Sequence, residues 1–160
     1  MNKGSTLFLK GVIILIGLVV LVLCAYVLPR AIDSENLGYL RPILYAMYVP
    51  TVPFFYALYQ GLLLLSYIDK NNAFSDLSVK ALKYIKYCSI FISSFYALSL
   101  LYIFFTPFQS VPPSGPVAAL IIIVNLIITS SSVVVGVFAA LLQKLLQNGM
   151  EIKSENDLTV

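Results

Sequence analysis

Four long apolar stretches, parted by short polar ones, divide the chain. They are LFLKGVIILIGLVVLVLCAYVL (7–28), ILYAMYVPTVPFFYALYQGLLLLSYI (43–68), YIKYCSIFISSFYALSLLYIFF (84–105) and VAALIIIVNLIITSSSVVVGVFAALL (117–142). Each is near or above the ~20 residues that carry a helix across ~30 Å of hydrocarbon. None shows the strict alternation of a membrane barrel strand. Between them, PRAIDSEN, DKNNAFSDLS and QSVPPSGP are polar and rich in turn formers. The pattern predicts an all-α integral membrane protein with four transmembrane helices. The membrane domain covers 1–150 and an acidic tail covers 151–160.

Composition agrees. The chain is 60% hydrophobic and 11% charged, with a mean hydropathy of +0.95, so lipid rather than water is the expected solvent. Charge then sets an orientation. Lys3, Lys10, Lys70, Lys80, Lys83, Lys86, Lys144 and Lys153 fall at one end of the spans, and Arg30 and Arg41 at the other. Positive residues favour the inside, so both termini are expected in the cytoplasm and segments 29–42 and 106–116 outside. A cleaved signal peptide is the competing reading of the start. It is disfavoured because the apolar run continues past Cys24, and Leu23 is large for a lipoprotein signal.

Several chemistries drop out. With no His, the commonest general base and metal ligand is missing, and so are Ser-His and Cys-His nucleophile pairs. No cofactor is called for. The net charge of +3 is too small and scattered for direct nucleic-acid binding. Cys24 and Cys88 are expected at opposite depths, too far apart for a disulfide. No span carries Asp, Glu or Arg near its centre, which disfavours a proton-coupled transporter; Lys10 and Lys86 are close enough to an end to snorkel.

The candidate chemistry within the membrane is uncharged. Asn125, Thr129, Ser132, Gly136 and Ala140 share a helical face. Ala46, Pro50, Pro53, Ala57, Gln60 and Gly61 form a second stripe, and Ser89, Ser93 and Ala97 a third. If the stripes face each other, Gln60 meets Ser93, Ser94 or Ser132 in a polar layer, either as packing glue or as a ligand or ion site. Pro50 and Pro53 should kink the second span. The carbonyl of Ala46 then needs a donor, which Asn125 could supply. Most tyrosines fall near interfaces and read as aromatic belts, whereas Tyr56 and Tyr96 lie deeper and need hydroxyl partners.

At the cytoplasmic end, Ser75 can cap a helix from Asp76, with Asp76 and Lys80 paired at i, i+4. Lys80, Lys83 and Lys86 form a basic membrane-surface patch, either an anchor to anionic lipid or a dock for an acidic partner. Gly149 fits the C-cap of the last helix. The tail EIKSENDLTV is then a solvated end or a recognition peptide, with Leu-Thr-Val able to add as a strand to a partner's sheet.

The length, the LLQKLLQNG exit of the fourth span and above all the ending IKSENDLTV resemble the YoaS-type family of small, uncharacterised bacterial four-helix membrane proteins. Members of that family end in a similar Glu-Asn-Asp-Leu-Thr-hydrophobic tail. Their genes often neighbour one for a small helix-turn-helix transcription regulator. With no constellation of base, nucleophile and electrophile, a non-catalytic protein is expected; the resemblance implies an accessory or regulatory membrane protein whose tail and Lys-rich loop hold or modulate a cytoplasmic regulatory protein, through Glu151, Lys153, Glu155, Asn156, Asp157 and Leu158. The alternative is a small permease or channel subunit using Gln60, Ser93, Ser132 and Asn125. Oligomeric state is not legible in the sequence.

The orientation is checked with reporter fusions. A reporter active only in the cytoplasm should work when joined after residue 72 or 160 and be silent after 35 or 110; the reverse pattern would invert the topology.

Overall fold

The structure, a computed structural model, describes residues 3–33, 41–105 and 116–158. The segment 106–115, Tyr39 and the final Thr159 and Val160 lie outside the described residues, and with them most of the expected outer loops and strand-forming end. Helix α1 (Lys3–Val22) passes through a π-helical turn, Leu23–Val27, into α2 (Leu28–Ile32). The second span is α3 (Arg41–Ala46) and α4 (Thr51–Asp69); α5 (Asp76–Phe105) and α6 (Pro116–Leu158) complete the protein. Among the described residues, four stretches are long and apolar enough to cross a membrane: Gly4–Ile32, Arg41–Asp69, Asp76–Phe105 and Ala119–Leu158. The described residues contain no strand.

These helices pack in chain order: α1 on α4, α4 on α5, α5 on α6, with the other long-helix pairs touching at most at their margins. The spans therefore form an open row instead of a closed bundle. Buried apolar residues are correspondingly few, among them Leu65, Ala81, Leu82, Ile92, Tyr96 and Ala139, while most Leu, Ile and Val side chains of α1 and α6 point outward, where lipid takes the place of a core.

The firmest contact is the antiparallel seam of α5 and α6. On α5, Ser78, Leu82, Ile85, Ser89, Ile92, Tyr96 and Ser99 recur at alternating steps of three and four, and all are buried or half-buried. On α6, Asn125, Thr129, Ser132, Gly136, Ala139, Gln143, Leu146 and Met150 do the same. This 3.5-residue repeat is the spacing of coiled-coil packing. Three contacts set one register: the Ser99 hydroxyl lies 2.6 Å from Asn125 Oδ1, a Cβ at Gly136 would stand 3.3 Å from Ser89 Cβ, and a Cβ at Gly149 would stand 2.8 Å from the Phe74 ring. Small residues at such crossings admit the close backbone approach that drives packing where lipid removes the hydrophobic incentive.

That register corrects one expectation. Gly149 does not end the last helix, which runs to Leu158. Its missing side chain makes room for Phe74, from the α4–α5 turn. At 43 residues and ~1.5 Å per residue, α6 is about twice as long as the hydrocarbon is thick.

The α4–α5 turn is built from local rules. Asn71 takes φ 59°, and Asn72 N–H reaches the Tyr67 carbonyl at 2.9 Å while Asn71 N–H reaches Ile68 at 3.1 Å. This is a Schellman ending with Asn in the left-handed position. Ser75 then caps α5 as expected, its Oγ accepting from Ser78 N–H at 3.4 Å. The expected Asp76–Lys80 pair does not form; the ion pair among the described residues joins Lys10 of α1 to Asp69 of α4.

Both early spans are interrupted, at one place. Before Pro29, Leu28 N–H bonds five residues back to Leu23. In that register the Cys24 carbonyl faces the Pro29 nitrogen, which has no hydrogen. The Tyr48 hydroxyl donates to it instead, at 3.1 Å. Tyr48 lies in the second interruption, Met47–Pro50, where Val49 N–H bonds the Ala46 carbonyl at 3.0 Å. The prolines thus break the span fully into α3 and α4 where a kink was expected. The Ala46 carbonyl keeps a partner because the chain tightens to i→i+3 bonding, and it needs no donor from Asn125. Thr51 Oγ1 donates to Met47 at 3.1 Å and stands 3.8 Å from Cys24 Sγ, so the two interruptions are joined side chain to backbone.

Tyr48→Phe should destabilise the protein by about 1 kcal/mol when unfolding is followed by circular dichroism in mixed micelles. In a Pro29→Ala background the cost should shrink, since an amide at 29 can serve the Cys24 carbonyl. An equal cost in both backgrounds would sink this account of the π turn.

Candidate functional site

The expected layer of Gln60, Ser93 and Ser132 is not assembled. Helix α5 stands between α4 and α6, so the three stripes cannot face one another. Gln60 is 7% exposed, yet among the described residues its amide has no hydrogen-bond partner. Ser93 donates to its own helix, to Ile90 at 3.0 Å. Ser132 is half-buried in the α5–α6 seam. The stripe on α5 that meets α6 runs through Ser89, Ile92, Tyr96 and Ser99, not through Ser93 and Ala97. A repeat of 3.5 and one of 4 diverge within three turns, and the face packed on α6 keeps to 3.5.

Asn125 is the polar residue that the seam does use. It is 1% exposed. Its Nδ2 donates to Ile121 at 3.0 Å, its Oδ1 faces the Ser99 hydroxyl, and its carbonyl accepts from Thr129 Oγ1 at 2.8 Å. The single Ser99 proton is shared with the Tyr96 carbonyl at 2.8 Å. Each of these polar atoms bonds within the α5–α6 pair, so the cluster fastens the two helices to each other. Ser89 likewise bonds back to Ile85 at 2.9 Å.

At the end of the molecule that carries the α4–α5 turn, Lys80 and Lys83 are exposed on α5. Lys86 lies over the Tyr87 ring, 5.4 Å from its centre. Past Met150, the last half-buried member of the seam, Glu151, Lys153, Glu155, Asn156, Asp157 and Leu158 are all exposed on the final turns of α6. Ser154 donates back to Glu151 at 2.8 Å. Ile152 is 68% exposed and Leu158 85%. The tail is thus a projecting helix. An extended strand, the form needed for strand addition, is not what its described residues adopt. Cys24 and Cys88 are free thiols, and no cluster of metal-ligating residues occurs among the described residues.

Comparison with known proteins places the chain. A family described as protein of unknown function DUF2975 matches residues 31–160. The uncharacterized membrane protein YoaS of Bacillus subtilis (strain 168) is 46% identical over 166 residues, covering the whole of both chains. The chain belongs to the DUF2975 family. No solved structure matches it.

The family match begins at Ala31, the penultimate residue of α2, so it includes the second interruption, the α5–α6 seam and the projecting end of α6. Neither DUF2975 nor YoaS brings an activity with its name; what the matches establish is a membrane protein of that family. Among this DUF2975 chain's structural residues, sequence reasoning missed Ser99, Tyr48 and Phe74. Ser99 was signalled by the three-and-four rhythm from Ser78 onward, and the π turn by Pro29 following an apolar run. Nothing local marks Phe74 as the neighbour of Gly149.

Asn125→Leu should cost about 0.6–1.7 kcal/mol, with Ser99→Ala adding little to it in a double-mutant cycle. Gln60→Leu should leave stability unchanged or raised, because no described partner is lost. The check is SDS-induced unfolding of both variants; a larger loss for Gln60 than for Asn125 would reverse the ranking.

Proposed function

We propose that this DUF2975 protein is a non-catalytic accessory or regulatory protein of the cell membrane, with both termini cytoplasmic, that acts by presenting the end of α6 to a cytoplasmic partner. The observation that carries the reading is the exposure of residues 151–158 on every side of a continuing helix. Past Met150 the tail is exposed along its length, and Ile152 and Leu158 stand uncovered in water. Its apolar Ile152, bordered by Glu151 and Glu155, suits a groove that takes an amphipathic helix. The acidic residues favour a partner with a basic rim. A small helix-turn-helix regulator, the neighbour that the family resemblance implies, has that character. Lys80, Lys83 and Lys86 stay with the membrane surface.

A second reading, a small permease or channel subunit, draws on the paired interruptions at Cys24 and Tyr48. Broken helices at matching depth line transport sites in other proteins. It can no longer draw on a layer of Gln60, Ser93, Ser132 and Asn125.

The two readings separate in cross-linking pull-downs from native membranes, using the full chain, a version ending at Asn148, and Ile152→Lys with Glu151→Lys. The regulatory reading expects one cytoplasmic protein recovered with the full chain and lost in both variants, while Tyr48→Phe recovers it normally. Equal recovery from all of them would remove the tail from consideration. A phenotype that follows Tyr48 and Thr51 instead would favour transport.

A further inference from the structure

The side of α5 opposite the seam has a pattern of its own. Lys80, Lys83, Tyr84 and Tyr87 recur at i, i+3, i+4 and i+7, one stripe of a helix. All four are exposed, Tyr84 by 47% and Tyr87 by 54%. On the adjoining α4, Tyr56 and Tyr59 stand out by 43% and 56%. The rings of Tyr56 and Tyr84 meet edge to face, centroids 5.9 Å apart, so the two stripes line one groove. Tyrosines form its walls, and two lysines stand toward the end that carries the α4–α5 turn.

None of these polar groups is committed within the protein. Among the described residues, Lys80 and Lys83 make no ion pair or hydrogen bond, and the hydroxyls of the four tyrosines have no hydrogen-bond partner. The one cation beside them, Lys86, is held over the Tyr87 ring. A tyrosine hydroxyl turned toward hydrocarbon is unfavourable unless something accepts its proton. The lysines keep long apolar stems along the helix and ammonium groups free at the surface.

We propose that the α4–α5 groove binds one anionic glycerophospholipid. The order of its chemistry is that of such a molecule read from its head inward. A phosphate lies between Lys80 and Lys83 as a charge-assisted pair. The glycerol ester carbonyls lie within reach of the Tyr84 and Tyr87 hydroxyls, and an acyl chain follows the rings of Tyr56 and Tyr59. A headgroup without a compensating amine is favoured, because an ammonium would be repelled by the two lysines. The basic stripe on α5 is thus a particular lipid site in addition to a general anchor, and this holds whatever the tail of α6 engages.

The test uses the full chain in detergent and native mass spectrometry, titrated separately with dioleoyl phosphatidylglycerol, dioleoyl phosphatidylcholine and inorganic phosphate. A single-lipid adduct should form with phosphatidylglycerol in preference to phosphatidylcholine, by on the order of tenfold. Lys80→Gln with Lys83→Gln should bring the preference near unity. Tyr84→Phe with Tyr87→Phe should weaken the adduct with either lipid. Lys144→Gln with Lys153→Gln, which removes the same charge from α6, should change nothing. Circular dichroism confirms that each variant remains helical. Equal adducts with the two lipids would overturn the proposal, as would a preference that survives loss of Lys80 and Lys83 or falls equally when the α6 lysines are removed. Displacement of the lipid by millimolar phosphate would make the site one for free anions instead.

Discussion

The seam between α5 and α6 is the contact on which the rest of the arrangement depends. In lipid, two apolar helices gain little from being apolar, so association rests on close packing and on a few hydrogen bonds between helices. Here a repeat of three and four residues lays Ser89 against Gly136 and Ser99 against Asn125. The same register reaches beyond the fourth apolar run to Phe74 and Gly149. That continuation ties α6 to the α4–α5 turn before its last eight described residues project. Without it, the helix that carries the tail would leave the membrane with no fixed neighbour.

A second constraint shapes the other half of the molecule. Backbone groups inside hydrocarbon have no water to turn to, so every proline in a span must be answered by some other donor. Pro29 is answered by a π turn and the hydroxyl of Tyr48. Pro50 is answered by a tightened turn in which Val49 replaces the missing donor. The two repairs share a side chain, which holds the first two spans together at a point where neither is regular helix. Interruptions of this kind supply exposed polar groups at depth, which is why they recur where membrane proteins bind or gate.

An open row of spans leaves both long sides of the sheet-like arrangement to lipid. The polar groups on those sides are then informative, because lipid tails cannot satisfy them. Asn125 and its neighbours bond to one another and to their own helices, and serve structure. The lysines and the tyrosine hydroxyls along the α4–α5 groove have no ion-pair or hydrogen-bond partner among the described residues, and the helical end of α6 is exposed along its length. For this DUF2975 protein, these are the two surfaces most open to a partner.

The sequence by itself determined the solvent and the number of apolar spans, because runs of about twenty apolar residues match the thickness of hydrocarbon. It also determined the Ser75 cap and the membership of Asn125 and Ser132 in a packing face, since these rest on spacing within one helix. Which helix each face would meet lay beyond it. Depth alone pairs Gln60 with Ser93 and Ser132, but depth carries no information on lateral order: α5 stands between Gln60 and Ser132, and Ser93 bonds back to Ile90 of its own helix. Gly149 read locally as a stop. Only the ring of Phe74, brought alongside by the seam's register, shows that the glycine admits a neighbour and lets the helix run on. Pairings between elements depend on how faces compete for one another across the whole fold, and that competition was resolved by tertiary structure alone.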